Sequence, residues 1–135
     1  MVINKVQIKG SKNINAQNIE VKNFDYPIFC FRHLHKDFHL NKCTDFEKQC
    51  FLEKIISMSQ LTWQVLQCSD RHGIGCEKIS IDSLKCELPH SIKSTEDVKS
   101  LLAFRFDDMK PFVGFRNRFI FHILFIDRNF TLYKH

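Results

Sequence analysis

The sequence predicts a single α+β domain in which an antiparallel sheet of about four to five strands packs against one or two N-terminal helices. The 135 residues fit one domain, so we expect residues 1–135 to fold as a unit. Hydrophobic residues make up 44% of the chain and include 14 Phe, which is enough apolar surface for a core and argues against disorder. Helical patterns come first and β-rich runs follow, and this segregation is typical of α+β folds.

The N-terminal part of the chain is mostly polar with spaced aliphatic residues. A turn composition over 9–13 divides it, so residues 1–25 predict an edge hairpin or an arm. Residues 26–34 are apolar on both faces of an extended chain and predict a strand. Residues 1–23 lack the apolar segment of a signal peptide, and no run of about 18 apolar residues occurs in the chain. We therefore expect a cytoplasmic protein without membrane contact.

The first helix has the clearest N-terminus. Thr44 and Glu47 have the spacing of a capping box, in which the hydroxyl and the carboxylate accept hydrogen bonds from free backbone N–H groups. We predict this helix over 45–58 and a shorter second helix over 62–68, with Trp63 and Leu66 inward. Apolar residues at helical spacing predict the inward face of the first helix: Phe46, Cys50, Phe51, Ile55 and Met58.

The second half of the chain predicts the sheet. A loop over 69–75, a strand over 77–81 and a connection over 86–100 precede the β-rich runs. These runs cover 101–106, 112–116, 119–126 and 131–134. Asn117 and Arg118 predict a tight hairpin turn between the second and third runs. Because the run 119–126 is apolar on both faces, it predicts a central strand.

The chain has six cysteines, and no two of them have C-x-x-C spacing. They lie at Cys30, Cys43, Cys50, Cys68, Cys76 and Cys86. Without a signal peptide, we expect free thiols in a reducing cytoplasm. Cys50 and Cys68 have apolar neighbours and predict buried thiols.

Polar residues interrupt the apolar strands of the predicted sheet, and the net charge of +5 favours anionic partners such as RNA, DNA or an acidic peptide. Basic and aromatic groups on one sheet face suit RNA, because cations meet phosphates and rings stack on bases. We predict that Arg105, Arg116, His122 and Tyr133 converge in one cleft with catalytic roles, and that Arg118, Lys134 and His135 bind nucleic acid. The alternative is an ordinary amphipathic sheet with a hydrogen-bonded core histidine and solvent-facing arginines.

Two other segments carry polar groups that bear on chemistry. The segment 72–78 contains Gly73 and Gly75 before Glu77, but it matches neither of the glycine patterns that bind nucleotides. A glycine turn that leads into a strand is therefore favoured. The alternatives are an anion-binding loop and a proton-transfer pair of His72 and Glu77. A second group contains zinc-ligand residue types: Cys30, His33, His35, His39 and Cys43. Because this segment is short for a four-ligand site, solvated loop histidines are favoured, and we expect neither a metal nor a cofactor.

The order of helices followed by strands resembles the RelE/ParE toxin superfamily over about residues 44–135. The stretches that carry the resemblance are Phe104–Phe106, Val113–Arg116, Phe121–Ile126 and Leu132–His135, which give an arginine in a strand, a Gly-x-Arg, an aliphatic strand and a terminal tyrosine. This resemblance implies a compact antiparallel sheet and a metal-independent endoribonuclease that acts on RNA, alone or at the ribosome, with a small acidic antitoxin as partner. The first 43 residues exceed what such a toxin needs.

A non-enzymatic binding module remains the alternative function, such as an accessory protein of a mobile element that binds nucleic acid or a partner protein. A neighbouring gene for a small acidic protein with an amphipathic helix would favour the toxin.

Overall fold

The computed structural model describes residues 25–68, 75–93, 98 and 100–134. Almost all of the predicted edge hairpin or arm over 1–25 lies outside the described residues, as does most of the predicted loop over 69–75. At the end of that loop Gly75 has φ of 84°, a conformation that glycine adopts without steric cost.

Five strands form one sheet, which confirms the α+β class and the predicted strand number. The strands are β1 (Ile28–Cys30), β2 (Glu77–Ser80), β3 (Ser100–Asp107), β4 (Lys110–Asn117) and β5 (Ile120–Ile126), in the spatial order β1-β5-β4-β3-β2. Strands β2 to β5 are antiparallel, whereas β1 pairs parallel to β5. The sheet is therefore mixed, and the expectation of an antiparallel sheet fails at β1. The predicted strand over 26–34 is reduced to three residues.

The helices lie N-terminal to most of the sheet, as predicted. They are α1 (Asp45–Ser59), α2 (Trp63–Cys68) and the short α3 (His90–Lys93). The capping box of α1 is confirmed: the Thr44 N–H donates to Glu47 Oε1 at 2.8 Å, and the Glu47 N–H donates to Thr44 Oγ1 at 3.1 Å. The predicted inward position of Phe46 is wrong, since 65% of this residue is exposed.

Glu47 does more than cap its helix, because it is a buried carboxylate with three donors. It is 2% exposed, and besides the Thr44 N–H it accepts from Lys110 Nζ at 2.6 Å and from Arg128 Nε at 2.7 Å. Lys110 also contacts Asp107 at 3.0 Å. This network ties the start of α1 to the β3–β4 turn and to the chain after β5.

Both faces of the sheet are covered. The helix face packs an aromatic cluster in mostly edge-to-face contacts, the geometry that ring quadrupoles favour: Phe51, Trp63, Phe104, Phe112 and Phe121. The opposite face packs against α3 and the C-terminal segment through Ile92, Leu132 and Tyr133. Strand β5 is buried on both faces between β1 and β4, which confirms the predicted central strand.

The turn between β4 and β5 lies one residue later than predicted. Asn117 pairs with Ile120, so the two turn residues are Arg118 and Phe119, and Arg118 has φ of 61°. The predicted last strand over 131–134 is reduced to a single bridge between Leu84 and Tyr133.

All six cysteines are free thiols, as predicted. Cys50 is only half-buried and Cys68 is exposed, so the prediction that these two thiols are buried is wrong. Within the described residues no helix is long and apolar enough to cross a membrane.

Candidate functional site

The four predicted catalytic residues lie on two different faces of the sheet. His122 stacks on Phe115, and Arg105 contacts Tyr133, all on the face opposite α1 and α2. Arg116 lies on the helix face. Because residues 115 and 116 are neighbours on one strand, their side chains point to opposite faces. The four residues therefore do not converge in one cleft.

Arg105 is part of a buried ion pair. Its side chain is 10% exposed, and Nη2 donates to Glu77 Oε1 at 2.6 Å while Nη1 donates to Tyr133 Oη at 3.4 Å. The Nε atom is buried without a hydrogen-bond partner among the described residues. Burial raises the pKa of Tyr133, and the Arg105 charge opposes that rise. This guanidinium joins β2, β3 and the C-terminal segment, so its charge is already compensated by Glu77.

His122 belongs to a second cluster, which we call the histidine cluster and define as His33, Ser91, Phe115 and His122. The His122 ring stacks on Phe115 with centroids 4.6 Å apart and an interplanar angle of 14°. The His33 ring lies 5.7 Å from the His122 ring, and His33 Nδ1 is 2.6 Å from Ser91 Oγ. His33 and His122 are half-buried and Ser91 is exposed. Imidazole nitrogens can accept or donate protons, so the two adjacent rings place such groups side by side.

The fold brings the histidine cluster together from three distant segments. Cys30 at the end of β1 pairs with His122 on β5, and His33 follows three residues later. The His35 N–H donates to Leu124 O at 2.7 Å and holds this segment against β5. Ser91 comes from α3. In the sequence, His33 is a candidate only as a metal ligand and Ser91 is not a candidate, since no local pattern signals that these segments meet.

Arg116 lies in the third cluster, the Arg116 surface, defined as Trp63, Gln67, Arg116 and Arg118. Its guanidinium carbon lies 4.5 Å from the centroid of the Trp63 ring. Arg116 Nε donates to the Arg118 carbonyl, and Nη1 donates to Gln67 Oε1. Trp63 itself is 2% exposed, and its Nε1–H donates to Phe119 O at 3.0 Å. Burial and this hydrogen bond hold the indole in place, and its contact with Arg116 restricts the position of the guanidinium.

The Arg116 guanidinium remains positively charged in this environment. Partial desolvation lowers the pKa of Arg116, and nearby Asp25 opposes that shift. Arginine keeps its proton under such shifts, because its ordinary pKa lies far above neutral pH. Arg116 and Arg118 are both exposed. The β4–β5 turn therefore presents two cations to solvent.

The remaining predicted nucleic-acid-binding residues, and the residues considered as zinc ligands, do not form a site among the described residues. Lys134 is exposed, and His135 lies outside the described residues. His35 packs between Phe38 and Phe125, and His39 accepts the Asn41 N–H at 3.1 Å. Among the described residues, no group of three or more His, Cys, Asp or Glu could hold a metal ion.

Comparisons of the chain with protein-family models, with curated proteins and with solved structures found no match. The resemblance to the RelE/ParE superfamily therefore stays a prediction.

Proposed function

We propose that this chain is an RNA-directed protein of the toxin type that holds a single-stranded RNA on the Arg116 surface. The observation that carries the proposal is the Arg116 guanidinium, whose carbon lies 4.5 Å from the centroid of the buried Trp63 ring while the residue remains exposed. RNA is recognised largely through unstacked bases, which stack on aromatic rings or on guanidinium planes.

The Arg116 surface suits this ligand because its cation is held in place before binding. The guanidinium contacts the indole, and two hydrogen bonds restrict its position, so little side-chain entropy is lost when a base stacks on it. Arg118, at the neighbouring turn, is exposed and available to a phosphate. The net charge of +5 adds a long-range attraction for a polyanion.

The proposed location is the cytoplasm, where RNA and ribosomes are present and where six free thiols stay reduced. The proposed partners are RNA, alone or on the ribosome, and a small acidic antitoxin whose carboxylates would compete with RNA phosphates for the same cations.

Replacing Arg116 by Ala is expected to weaken binding of an unstructured 12-nucleotide RNA about tenfold, because one base–guanidinium contact of about 1–3 kcal/mol is lost. Arg116→Lys keeps the charge but loses the plane, so we expect about threefold weaker binding. Fluorescence anisotropy of a labelled RNA measures the affinity of each variant at two salt concentrations. The affinity should fall as the salt concentration rises.

The matched control for this experiment is Lys42→Ala, which removes one exposed positive charge. Lys42 lies beside Arg128, at the end of β5 away from the Arg116 surface. We expect the affinity of Lys42→Ala for this RNA to lie within twofold of that of the unaltered protein. Equal affinities for the Arg116→Ala and unaltered proteins would contradict the proposal, as would a preference for duplex DNA or an acidic peptide over RNA.

In cells, induction of the chain alone is expected to slow growth and to reduce translation of a bacterial host. Arg116→Ala should relieve this effect, whereas Lys42→Ala should not, since only the first removes an RNA contact. Incorporation of labelled amino acid measures translation. Unimpaired growth at a high level of folded protein would count against the toxin, while RNA binding without growth arrest would favour the non-enzymatic binding module.

A further inference from the structure

Three large apolar side chains are exposed at the end of the sheet away from the Arg116 surface. Phe46 is 65% exposed, Met109 47% and Phe130 39%. Each lies one or two residues from a member of the buried ion-pair network: Glu47, Lys110 or Arg128. Because this network joins their three segments through one carboxylate, the three apolar residues lie on the same part of the surface. Grouped exposed apolar side chains mark interaction surfaces.

The backbone presents two of these residues to solvent in turns. Asp108, which precedes Met109 in the β3–β4 turn, has φ of 56°, a conformation that aspartate tolerates. Phe130 has φ of 58°, which is strained for a bulky aromatic residue. The Asp127 carboxylate holds this conformation, since it accepts the two backbone N–H groups that follow Phe130, both at 3.0 Å. The loop after β5 thus keeps an aromatic ring partly exposed at the expense of backbone strain.

The charges beside these apolar residues are mostly negative where they are exposed. Asp45 and Asp108 are exposed. The cations of the same described segments are half-buried: Lys48, Lys110 and Arg128. The last two are also paired with the Glu47 carboxylate. Lys42 and Asp37, both exposed, line a cleft next to Arg128, so their charges offset each other. This part of the surface therefore attracts cations, although the whole chain carries a net charge of +5.

We propose that this part of the molecule docks a basic polypeptide segment that also carries apolar side chains. We call it the Phe46 surface and define it as Asp45, Phe46, Asp108, Met109 and Phe130. Apolar side chains of the segment pack on the three exposed apolar residues, and its Lys or Arg side chains meet the two carboxylates. Aromatic residues and methionine are enriched at the centres of protein interfaces, which agrees with this composition.

The Phe46 surface and the Arg116 surface lie at opposite ends of β4. The eight residues of this strand place them roughly 25 Å apart. Together with the proposed function, one chain would hold RNA at one end and a basic polypeptide at the other, a combination suited to a particle of RNA and basic protein. The docking proposal does not rest on RNA binding, because no residue of the Arg116 surface belongs to the Phe46 surface.

The test measures binding of a fluorescent 12-residue peptide of alternating Lys and Leu by anisotropy at low salt. Phe46→Ala is expected to weaken binding about tenfold, as truncation of an interface anchor does. Asp108→Asn is expected to weaken it about threefold, the effect of one exposed charge, and asparagine tolerates the positive φ of this turn. The matched controls are Ile56→Ala and Asp82→Asn, which remove an exposed apolar side chain and an exposed charge elsewhere. Both should leave the affinity within about twofold.

Two further peptides of the same length test the chemistry of the partner. Peptides of alternating Glu and Leu, or of alternating Lys and Ser, should each bind about tenfold more weakly, because one lacks the cations and the other the apolar side chains. Tighter binding of the Glu and Leu peptide would overturn the basic partner.

The variants also decide whether the Phe46 surface is the docking site. Equal affinities of Phe46→Ala and the unaltered protein for the Lys and Leu peptide would overturn it, and Met109→Ala gives the answer if Phe46→Ala fails to fold. Self-association in sedimentation that Phe46→Ala abolishes would assign the surface to a second copy and overturn the proposal as well. None of these measurements contains RNA, so the proposed function succeeds or fails separately.

Discussion

Replacing Glu47 by Gln is expected to lower the free energy of unfolding by about 3 kcal/mol, a typical cost of breaking a buried ion pair by removing one partner. The substitution leaves Lys110 and Arg128 without their shared carboxylate, at distances of 2.6 and 2.7 Å in the unaltered protein. Urea unfolding followed by circular dichroism measures the change. The control is Glu53→Gln, on the same helix, where the carboxylate is exposed and accepts a hydrogen bond from the Gln49 side chain. Midpoints that coincide for the two variants would contradict the prediction.

The same carboxylate should make the protein sensitive to acid. The hydrogen bond from Arg128 is the largest cause that lowers the pKa of Glu47 from 4.5 to about 2, with Lys110 and the Thr44 N–H contributing and burial opposing. A group whose pKa is depressed in the folded state stabilises the fold fully above its unfolded pKa. This stabilisation is lost as the pH falls from about 4.5 towards 2. As the pH falls from about 4.5 towards 2, the Glu47→Gln variant should lose less stability than the unaltered protein.

Replacing Gly114 by Ala is expected to destabilise the protein by about 3 kcal/mol, at the upper end of what overpacking in a core usually costs. The added Cβ would lie 2.0 Å from the backbone oxygen of His122, and this neighbour is main chain that cannot rotate away. Strands β4 and β5 must therefore separate at the bulge between Val113 and Gly114. Since His122 lies on β5 at this position, its ring would move with the strand.

Thermal unfolding measures the loss of stability in Gly114→Ala. Lys78→Ala, an exposed position on the edge strand β2, is the control and should change stability by no more than about 0.5 kcal/mol. A Gly114→Ala variant with unchanged stability would mean that the two strands approach less closely than the structure has them.

The helices and strands were largely predictable because their signals are local. The capping box gave the start of α1, and the β-rich runs gave β3, β4 and β5. The buried face of α1 was harder to predict, because apolar residues also lie on its solvent side. Two of them, Leu52 and Ile56, are exposed. The helical period was therefore ambiguous, and Phe46 was assigned to the wrong side.

The site was only partly predictable, because it depends on pairing between distant segments. The parallel pairing of β1 with β5 has no turn that would signal it in the sequence. The bulge between Val113 and Gly114 shifts the pairing register of β4 with β5. The sequence of β5 does not specify this shift, because the strand is apolar on both faces. Alternation along β4 does separate Arg116 from Phe115, but only the register shows that Phe115, rather than Arg116, shares a face with His122.

The pairing of β1 with β5 also has a consequence for the timing of folding during translation. The two strands are separated by roughly 90 residues, so the contact contributes strongly to the contact order and closes late. A ribosome releases β1 well before β5, and until then β1 has no strand to pair with. The nascent chain can form its helices early, but His33 and His122 meet only after β5 has left the exit tunnel.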